Sequence, residues 1–265
     1  MTRTILKPTL GLAFAMALMQ ASTALAEIKT KAVEYKHGDT ALTGWLAWDD
    51  ATTGKVPGVL VIHEWWGLNE HAKERAEKLA GEGYVAFAAD MYGTGRVTTK
   101  PDQARAWYGE VTTDLSSWME RAQIALDVLK GHENVDSEKL AAMGFCFGGT
   151  TVMQMAYAGS EVDAVVSYHG SLPLPGADVT GISQRVLVAH GRDDPFVPPE
   201  RVAPFQESLD RIGAEWEMTV YSGTRHSFTN KDAGQYQMDA LAYNEIADKN
   251  SWSATMRLFD DVFGE

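Results

Sequence analysis

The residues of this sequence that could do covalent chemistry are a cysteine, a carboxylate and a histidine, in that order along the chain. Cys146 lies in the segment GFCFGG at positions 144–149, where a buried apolar run meets a predicted helix. Glycines two positions on either side of a central nucleophile are typical of the sharp G-x-S-x-G strand-to-helix turn, here with cysteine in place of serine. The N-terminus of the helix would favour the thiolate, which is the attacking form. A close-packed turn with only a structural role would need the same glycines. The presence or absence of catalytic partners for Cys146 must therefore decide between a nucleophile and a structural turn.

The partners follow in the order that an α/β-hydrolase requires, which is nucleophile, acid and then histidine. The segment GRDDPFVP at 191–198 follows a buried run, and its register favours Asp194 over Asp193 as the acid. His226 lies in a loop after the last predicted strand. In this arrangement His226 takes the thiol proton, Asp194 fixes the imidazole tautomer, and the thiolate attacks an acyl carbon.

Acyl transfer also needs two backbone N–H groups that hold the oxyanion of the tetrahedral intermediate. One is expected from Phe147, directly after the nucleophile. The other is expected from the loop HEWWGLN at 63–69, which follows a run of β-branched and apolar residues.

Strands and helices alternate along the rest of the chain, which predicts a mostly parallel sheet with helices on both faces. Period-two runs on either side of the Gly38-Asp39 dipeptide predict an N-terminal antiparallel hairpin. We expect one α/β domain over residues 27–265. The predicted strands are 28–35, 41–48, 59–62, 84–89, 140–145, 164–168, 186–189 and 217–221, and the predicted helices are 69–81, 114–130, 148–158, 200–212 and one at the C-terminus.

The N-terminus has the pattern of a secretory signal peptide. Arg3 and Lys7 precede the apolar run 10–19, and Ala-Leu-Ala at 24–26 is a small-x-small cleavage site. We expect residues 1–26 to be removed and the protein to be exported, to the periplasm or outside the cell. A buried N-terminal helix or an uncleaved anchor is the alternative. No cysteine follows the cleavage site, so no lipid anchor is expected to hold the mature chain at the membrane.

The composition excludes several classes of partner. The 265 residues carry a net charge of −13, which argues against nucleic-acid binding because phosphates are held mainly by Lys and Arg. The single cysteine cannot form an internal disulfide or a thiolate cluster. No metal-binding spacing and no nucleotide-binding loop is present. We expect a monomer that needs no metal or cofactor and binds a small molecule.

These motifs together resemble the dienelactone hydrolase family, also called carboxymethylenebutenolidases. The similarity covers the whole predicted mature chain and rests on EWWGLN (64–69), GFCFGG (144–149), GRDD with VP (191–198) and RHSF (225–228). The resemblance implies an α/β-hydrolase fold and a catalytic triad at Cys146, Asp194 and His226. It also implies oxyanion donors at Trp65 and Phe147.

The resemblance assigns a fourth catalytic role, to Glu64, which would hold the resting thiol until the substrate displaces it. This role has a physical rationale of its own. A neighbouring carboxylate disfavours the thiolate by like-charge repulsion, and it can take the thiol proton when the site fills. An exported protein would otherwise expose a permanent thiolate to oxidation.

The resemblance also suggests residues that bind the substrate. Ser227 matches a serine, and Tyr168 a pocket tyrosine, whereas core packing is an equal alternative for the tyrosine. A substrate carboxylate would be held by Arg105 or by Arg96, and Trp66 is expected at the pocket mouth. The implied activity is hydrolysis of small esters or lactones, including dienelactone-type enol lactones, through a cysteine thioester. A cysteine-dependent acyltransferase or amidase, or a binding protein of the same fold, are the alternatives.

Overall fold

The computed structural model describes residues 27–264 as eight strands and six α-helices. The predicted signal peptide lies outside the described residues. The strands are β1 (Ile28–His37), β2 (Thr40–Asp49), β3 (Val56–Ile62), β4 (Val85–Ala89), β5 (Val135–Phe145), β6 (Ala164–Tyr168), β7 (Arg185–Gly191) and β8 (Glu215–Tyr221). The helices are α1 (Glu70–Gly81), α2 (Pro101–Thr112), α3 (Leu115–Lys130), α4 (Phe147–Tyr157), α5 (Val202–Arg211) and α6 (Glu245–Phe263). None of these helices is long and apolar enough to cross a bilayer.

All eight strands form one sheet, in the order β1-β2-β4-β3-β5-β6-β7-β8. The β1–β2 and β2–β4 pairs are antiparallel and all other pairs are parallel. Gly38 supplies the positive φ, 56°, that the two-residue turn between β1 and β2 needs. The predicted fold class, a mostly parallel sheet preceded by an antiparallel hairpin, is confirmed.

Two apolar layers cover the two faces of the sheet. Alternate residues of β3 divide between them, with Leu60 and Ile62 in one layer and Val59 and Val61 in the other. Helices α3, α4 and α5 pack on the first face, and α1 and α6 pack on the second. The central strands are therefore buried on both faces, as their continuous apolar runs predicted.

Two elements differ from the sequence expectation. Strand β5 begins at Val135, well before the apolar run, because Val135 and Asp136 pair with β3 ahead of an irregularity between Pro57 and Gly58. The polar residues that follow Asp136 conceal this part of the strand. Helix α2 was not predicted from the sequence. It has only two buried residues, Ala104 and Val111, so the sequence shows little helical periodicity there.

Candidate active site

Cys146 lies at the sharp turn between β5 and α4, with φ 53° and ψ −111°. This left-handed conformation is costly for a residue with a side chain and persists only where the surroundings fix it. A Cβ atom on Gly144 would overlap the backbone of Gly148, and one on Gly148 would overlap the Ile62 carbonyl. Both glycines are therefore required by close backbone contacts, and the thiol is presented at the carboxyl edge of the sheet.

His226 and Asp194 come together from two different loops at the same edge. Nδ1 of His226 lies 2.6 Å from Oδ2 of Asp194. Oδ1 of Asp194 accepts the Phe196 N–H over 2.9 Å, so both carboxylate oxygens are held. Asp193, by contrast, is exposed. The predicted order of nucleophile, acid and histidine thus corresponds to a spatial arrangement in which the acid orients the imidazole.

The charge state of His226 follows from its neighbours. Burial opposes protonation, but the Cys146 thiolate, followed by the hydrogen bond and the charge of Asp194, raises the pKa of His226 well above its ordinary value. An imidazolium next to a thiolate is the ion pair that activates a cysteine nucleophile. The arrangement therefore favours a charged imidazole beside Cys146.

The two predicted oxyanion donors, the N–H groups of Trp65 and Phe147, have no acceptor in the part of the chain that the structure describes. The Gly148 N–H donates to the His63 carbonyl over 3.1 Å and so joins the loop after β3 to the start of α4. The Phe147 ring is fixed by stacking on Tyr92 and Trp118. These contacts fix the turn at Phe147 and join it to the loop that carries Trp65.

Glu64 is completely buried, but its carboxylate does not engage the thiol. Oε1 accepts the Ser227 hydroxyl, and Oε2 accepts Nδ2 of Asn230 over 2.7 Å. Burial raises the pKa of Glu64, while these two hydrogen bonds and the charges of His226 and Arg75 oppose the rise. The expected contact between Glu64 and the resting thiol is therefore not the arrangement in this structure. No motif in the sequence pointed to Asn230 as a partner of Glu64.

A cavity of about 370 Å³ opens next to the thiol. Most of its wall is apolar or aromatic, and Arg105 is the one permanently charged residue among the described residues that line it. Such a cavity suits a small molecule with an apolar body and few polar groups. The lining side chains are Trp65, Arg105, Tyr108, Cys146, Phe147, Thr150, His169, Ser171, Phe196, Val197 and His226.

Four of the expected substrate-binding residues do not line this cavity. The Ser227 hydroxyl donates a hydrogen bond to Glu64. Tyr168 is buried against α6, with its hydroxyl 2.5 Å from Oγ1 of Thr255. Side chains alternate along a strand, so the last residue of β6 points into the core and the next residue, His169, faces the cavity.

Trp66 and Arg96 are held by other partners. The ring of Trp66 is fully buried and stacks in parallel on Tyr236, with centroids 3.8 Å apart, so it does not form the pocket mouth. Arg96 pairs with Glu110 over 2.5 Å outside the cavity. Of the two arginines considered, only Arg105 reaches the site.

Sequence reasoning missed six of the lining residues: Tyr108, Thr150, His169, Ser171, Phe196 and Val197. Two signals were available. His169 directly follows a buried parallel strand, and Phe196 and Val197 follow the acid on its loop. Ligand sites of open parallel sheets form at the carboxyl ends of the strands. Tyr108 could not be found in this way, because its helix has little periodicity.

Comparison with known proteins identifies the family. The profile of the Dienelactone hydrolase family matches residues 42–263. The chain belongs to the dienelactone hydrolase family. It is therefore a carboxylic ester hydrolase, a class whose substrates are esters or lactones.

The similar proteins span nearly the same length as this chain. "Protein usf" of Aquifex pyrophilus is 29% identical over 243 residues, covering 86% of this chain and 97% of its own. "Putative carboxymethylenebutenolidase" of Aquifex aeolicus is 30% identical over 204 residues, covering 75% and 87%. A crystal structure of a dienelactone hydrolase-like promiscuous phosphotriesterase from metagenomic libraries is 38% identical, with a TM-score of 0.86 and coverage of 89% and 98%.

Proposed function

We propose that this hydrolase cleaves small carboxylic esters or lactones through a thioester formed on Cys146. The observation that carries the proposal is the convergence of Cys146, His226 and Asp194 at one cavity, with Asp194 bonded to His226 over 2.6 Å. Cys146 is the only cysteine of the chain, so the thioester has a single possible site.

The acylation half-reaction follows from the geometry. The thiolate attacks the acyl carbon, and the C=O electron pair moves to the oxygen, which the N–H groups of Trp65 and Phe147 stabilise. The pair returns, the C–O bond breaks, and the His226 imidazolium gives its proton to the departing alkoxide. When the substrate is a lactone, the alcohol stays attached to the acyl chain.

Deacylation repeats these steps with water. Neutral His226 removes a proton from water as the oxygen attacks the thioester carbon. The tetrahedral intermediate collapses, the C–S bond breaks, and the thiolate and imidazolium are restored with release of the acid. Asp194 keeps the imidazole in the required tautomer throughout. We expect these steps to need no metal or cofactor.

Arg105 narrows the proposed substrate class. It lies at the cavity as the permanent positive charge among its described lining residues. A guanidinium beside an aromatic pocket would favour an ester or lactone that also carries a carboxylate. Enol lactones of the dienelactone type have this combination, a lactone carbonyl and a free carboxylate in one small molecule.

The decisive experiment compares hydrolysis of p-nitrophenyl acetate by wild type and the C146A variant. We expect a loss of at least about a thousandfold, as for removal of a nucleophile. Mass spectrometry of acid-quenched protein should locate the acyl adduct on the peptide that carries Cys146. Equal activity of the two proteins would contradict the proposal.

Two alternative functions can be separated in the same assay. An acyltransferase or amidase would pass the acyl group to an added alcohol or amine in preference to water, or would prefer amide substrates. A binding protein of the same fold would show no Cys146-dependent turnover with any ester or lactone.

Phosphotriester hydrolysis is a second candidate activity, which we propose from one relative and one feature of the cavity. The 38% identical relative is a promiscuous phosphotriesterase, and the cavity wall here is aromatic and lacks carboxylates among its described lining residues. The thiolate would attack phosphorus and expel an aryloxide, and water would then break the P–S bond. Turnover of paraoxon by wild type but not by C146A supports this activity, and its absence contradicts it.

We also propose that the protein is exported after removal of residues 1–26 and acts as a monomer. The N-terminal pattern described above supports export. N-terminal sequencing of protein recovered from the periplasm should begin at Glu27. Light scattering should give the mass of one mature chain.

A further inference from the structure

His169 is a buried histidine beside the nucleophile that none of the steps above uses. It follows β6 with a positive φ of 40° and lines the cavity. Its Nδ1 accepts the backbone N–H of Cys146 over 3.0 Å, a donor that it shares with the Tyr168 carbonyl. Its ring lies 4.8 Å from that of His226, centroid to centroid, at 64°. His169 thus touches both partners of the reacting pair.

The other nitrogen of His169 reaches the loop that carries His226. Nε2 lies 3.2 Å from Oγ1 of Thr229, and this hydroxyl lies 3.3 Å from Nε2 of His71 on α1. Because Nδ1 accepts a hydrogen bond, the proton of a neutral His169 is on Nε2 and is donated to Thr229. The Thr229 hydroxyl can then donate to His71. All three contacts are consistent with one direction of donation.

The surroundings keep His169 neutral. Burial, followed by the positive charges of His226 and Arg75, lowers the pKa of His169 well below its ordinary value. A neutral ring retains the lone pair that the Cys146 N–H needs, and it adds no positive charge beside the imidazolium.

We infer that His169 is a positioning residue, which joins the turn carrying Cys146 to the loop carrying His226 through Thr229 and thereby sets the thiol–imidazole contact. The inference rests on the proposed function, in which these two groups react. The His169–Thr229 contact joins the two segments directly, whereas the link through Glu64, Ser227 and Asn230 passes through the loop after β3. Misplacement of reacting groups by about 1 Å can cost about a hundredfold in rate.

Other titratable groups near the pair must stay unchanged for a pH measurement to report on this contact. Burial raises the pKa of Tyr92 and Tyr108, so both remain neutral near pH 7. The remaining groups that influence Cys146, His226 or His169 are Glu64, His71, Arg75, His190 and Asp194. None of the variants below replaces one of these groups, and T229V also removes the hydroxyl that contacts His71.

The experiment uses four variants of the mature protein: H169F, T229V, T229S and, as a control, T255V. H169F removes both hydrogen bonds and keeps an aromatic ring. T229V removes only the hydroxyl, and T229S restores it. Thr255 is as fully buried as Thr229 but bonds to Tyr168 and Ser251, away from the reacting groups.

Two readouts are taken for each protein: kcat and KM for p-nitrophenyl acetate, and the pH dependence of iodoacetamide alkylation at the single cysteine. In H169F and T229V we expect kcat to fall about tenfold or more with little change in KM. We also expect the acid limb, the pH range over which the alkylation rate rises, to shift to higher pH by about one unit. The reason is that a thiolate held less closely to the imidazolium is less stabilised. T229S and T255V should keep the wild-type limb.

The inference is overturned if T229V has the same kcat and the same pH dependence of alkylation as T255V. It is also overturned if T229S does not have the wild-type values of both. A bulky residue is strained at the positive φ of position 169. If H169F does not fold for this reason, T229V still tests the inference. Failure of the proposed function has a different signature, which is wild-type activity that does not depend on Cys146.

Discussion

Nδ2 of Asn230 donates a hydrogen bond to Oε2 of Glu64 over 2.7 Å, and both side chains are buried. Ser227 donates to the other oxygen. Both oxygens of the carboxylate therefore have partners on the loop that carries His226. Neither partner is Cys146, which has His226 as its charged neighbour. A contact between Glu64 and the thiol would compete with these two hydrogen bonds.

Glu64 should make stability depend on pH in a direction opposite to that of a salt-bridged carboxylate. Burial raises its pKa above the ordinary 4.5, so the folded state keeps a proton that the unfolded state has lost. The contribution of Glu64 to stability is then fully present below about pH 4.5 and is lost as pH rises through the raised pKa. The E64Q variant lacks this titration. The difference in Tm, E64Q minus wild type, should increase as pH rises above 4.5. The increase should be about 2–4 °C for each kcal/mol that burial of the charged carboxylate costs.

Thermal denaturation of both proteins between about pH 4 and pH 8 measures this difference. The E74Q variant, at an exposed position on α1, is the matched control and should show a constant offset. A constant offset for E64Q as well would contradict the prediction.

Replacing Asp194 by asparagine should abolish most of the activity while leaving the fold intact. Its carboxylate holds Nδ1 of His226 over 2.6 Å and helps to raise the pKa of that imidazole. An amide would favour the wrong tautomer, which costs about 10⁴-fold in kcat in a serine protease triad. The D193N variant is the control, because Asp193 is exposed on the same loop. Similar losses for both variants in the p-nitrophenyl acetate assay would rule out this assignment.

The G148A variant should be destabilised and inactive. The added Cβ would overlap the carbonyl of Ile62, so α4 would have to move from the loop that supplies Trp65. Overpacking of this kind costs about 1–3 kcal/mol, and the shift would also displace the Phe147 N–H. The G81A variant on α1 meets no atom within 4 Å and should be as stable as wild type or more so. Urea denaturation compares the two, and full activity of G148A would argue against the turn geometry described here.

Arg105 should determine the affinity for substrates that carry a carboxylate. We expect the R105A variant to raise KM about tenfold or more for such an ester, since a hydrogen bond to a charged group contributes about 1.5–3 kcal/mol. KM for a neutral ester of similar size should change little. R96A is the control, because Arg96 pairs with Glu110 outside the cavity. Equal changes for the charged and the neutral ester would exclude a carboxylate-binding role.

The sequence by itself determined the fold class and the order of the reacting residues. Glycines at 144 and 148 around Cys146 can be recognised because the sharp turn leaves no room for side chains there. Buried parallel strands form continuous apolar runs, so the alternation of strands and helices could be recognised in the sequence. Asp194 follows such a run, His226 follows the last strand, and chain order alone separated His226 from the other histidines.

Only the tertiary structure decided what the side chains around the thiol contact. Tyr168 and His169 are adjacent in sequence, yet one packs in the core and the other lines the cavity. A shift of one residue at a strand end reverses the direction of the side chain. The Glu64–Asn230 and His169–Thr229 contacts join segments distant in the chain. Such contacts have no local signature, because they depend on how loops from different strands meet at the edge of the sheet.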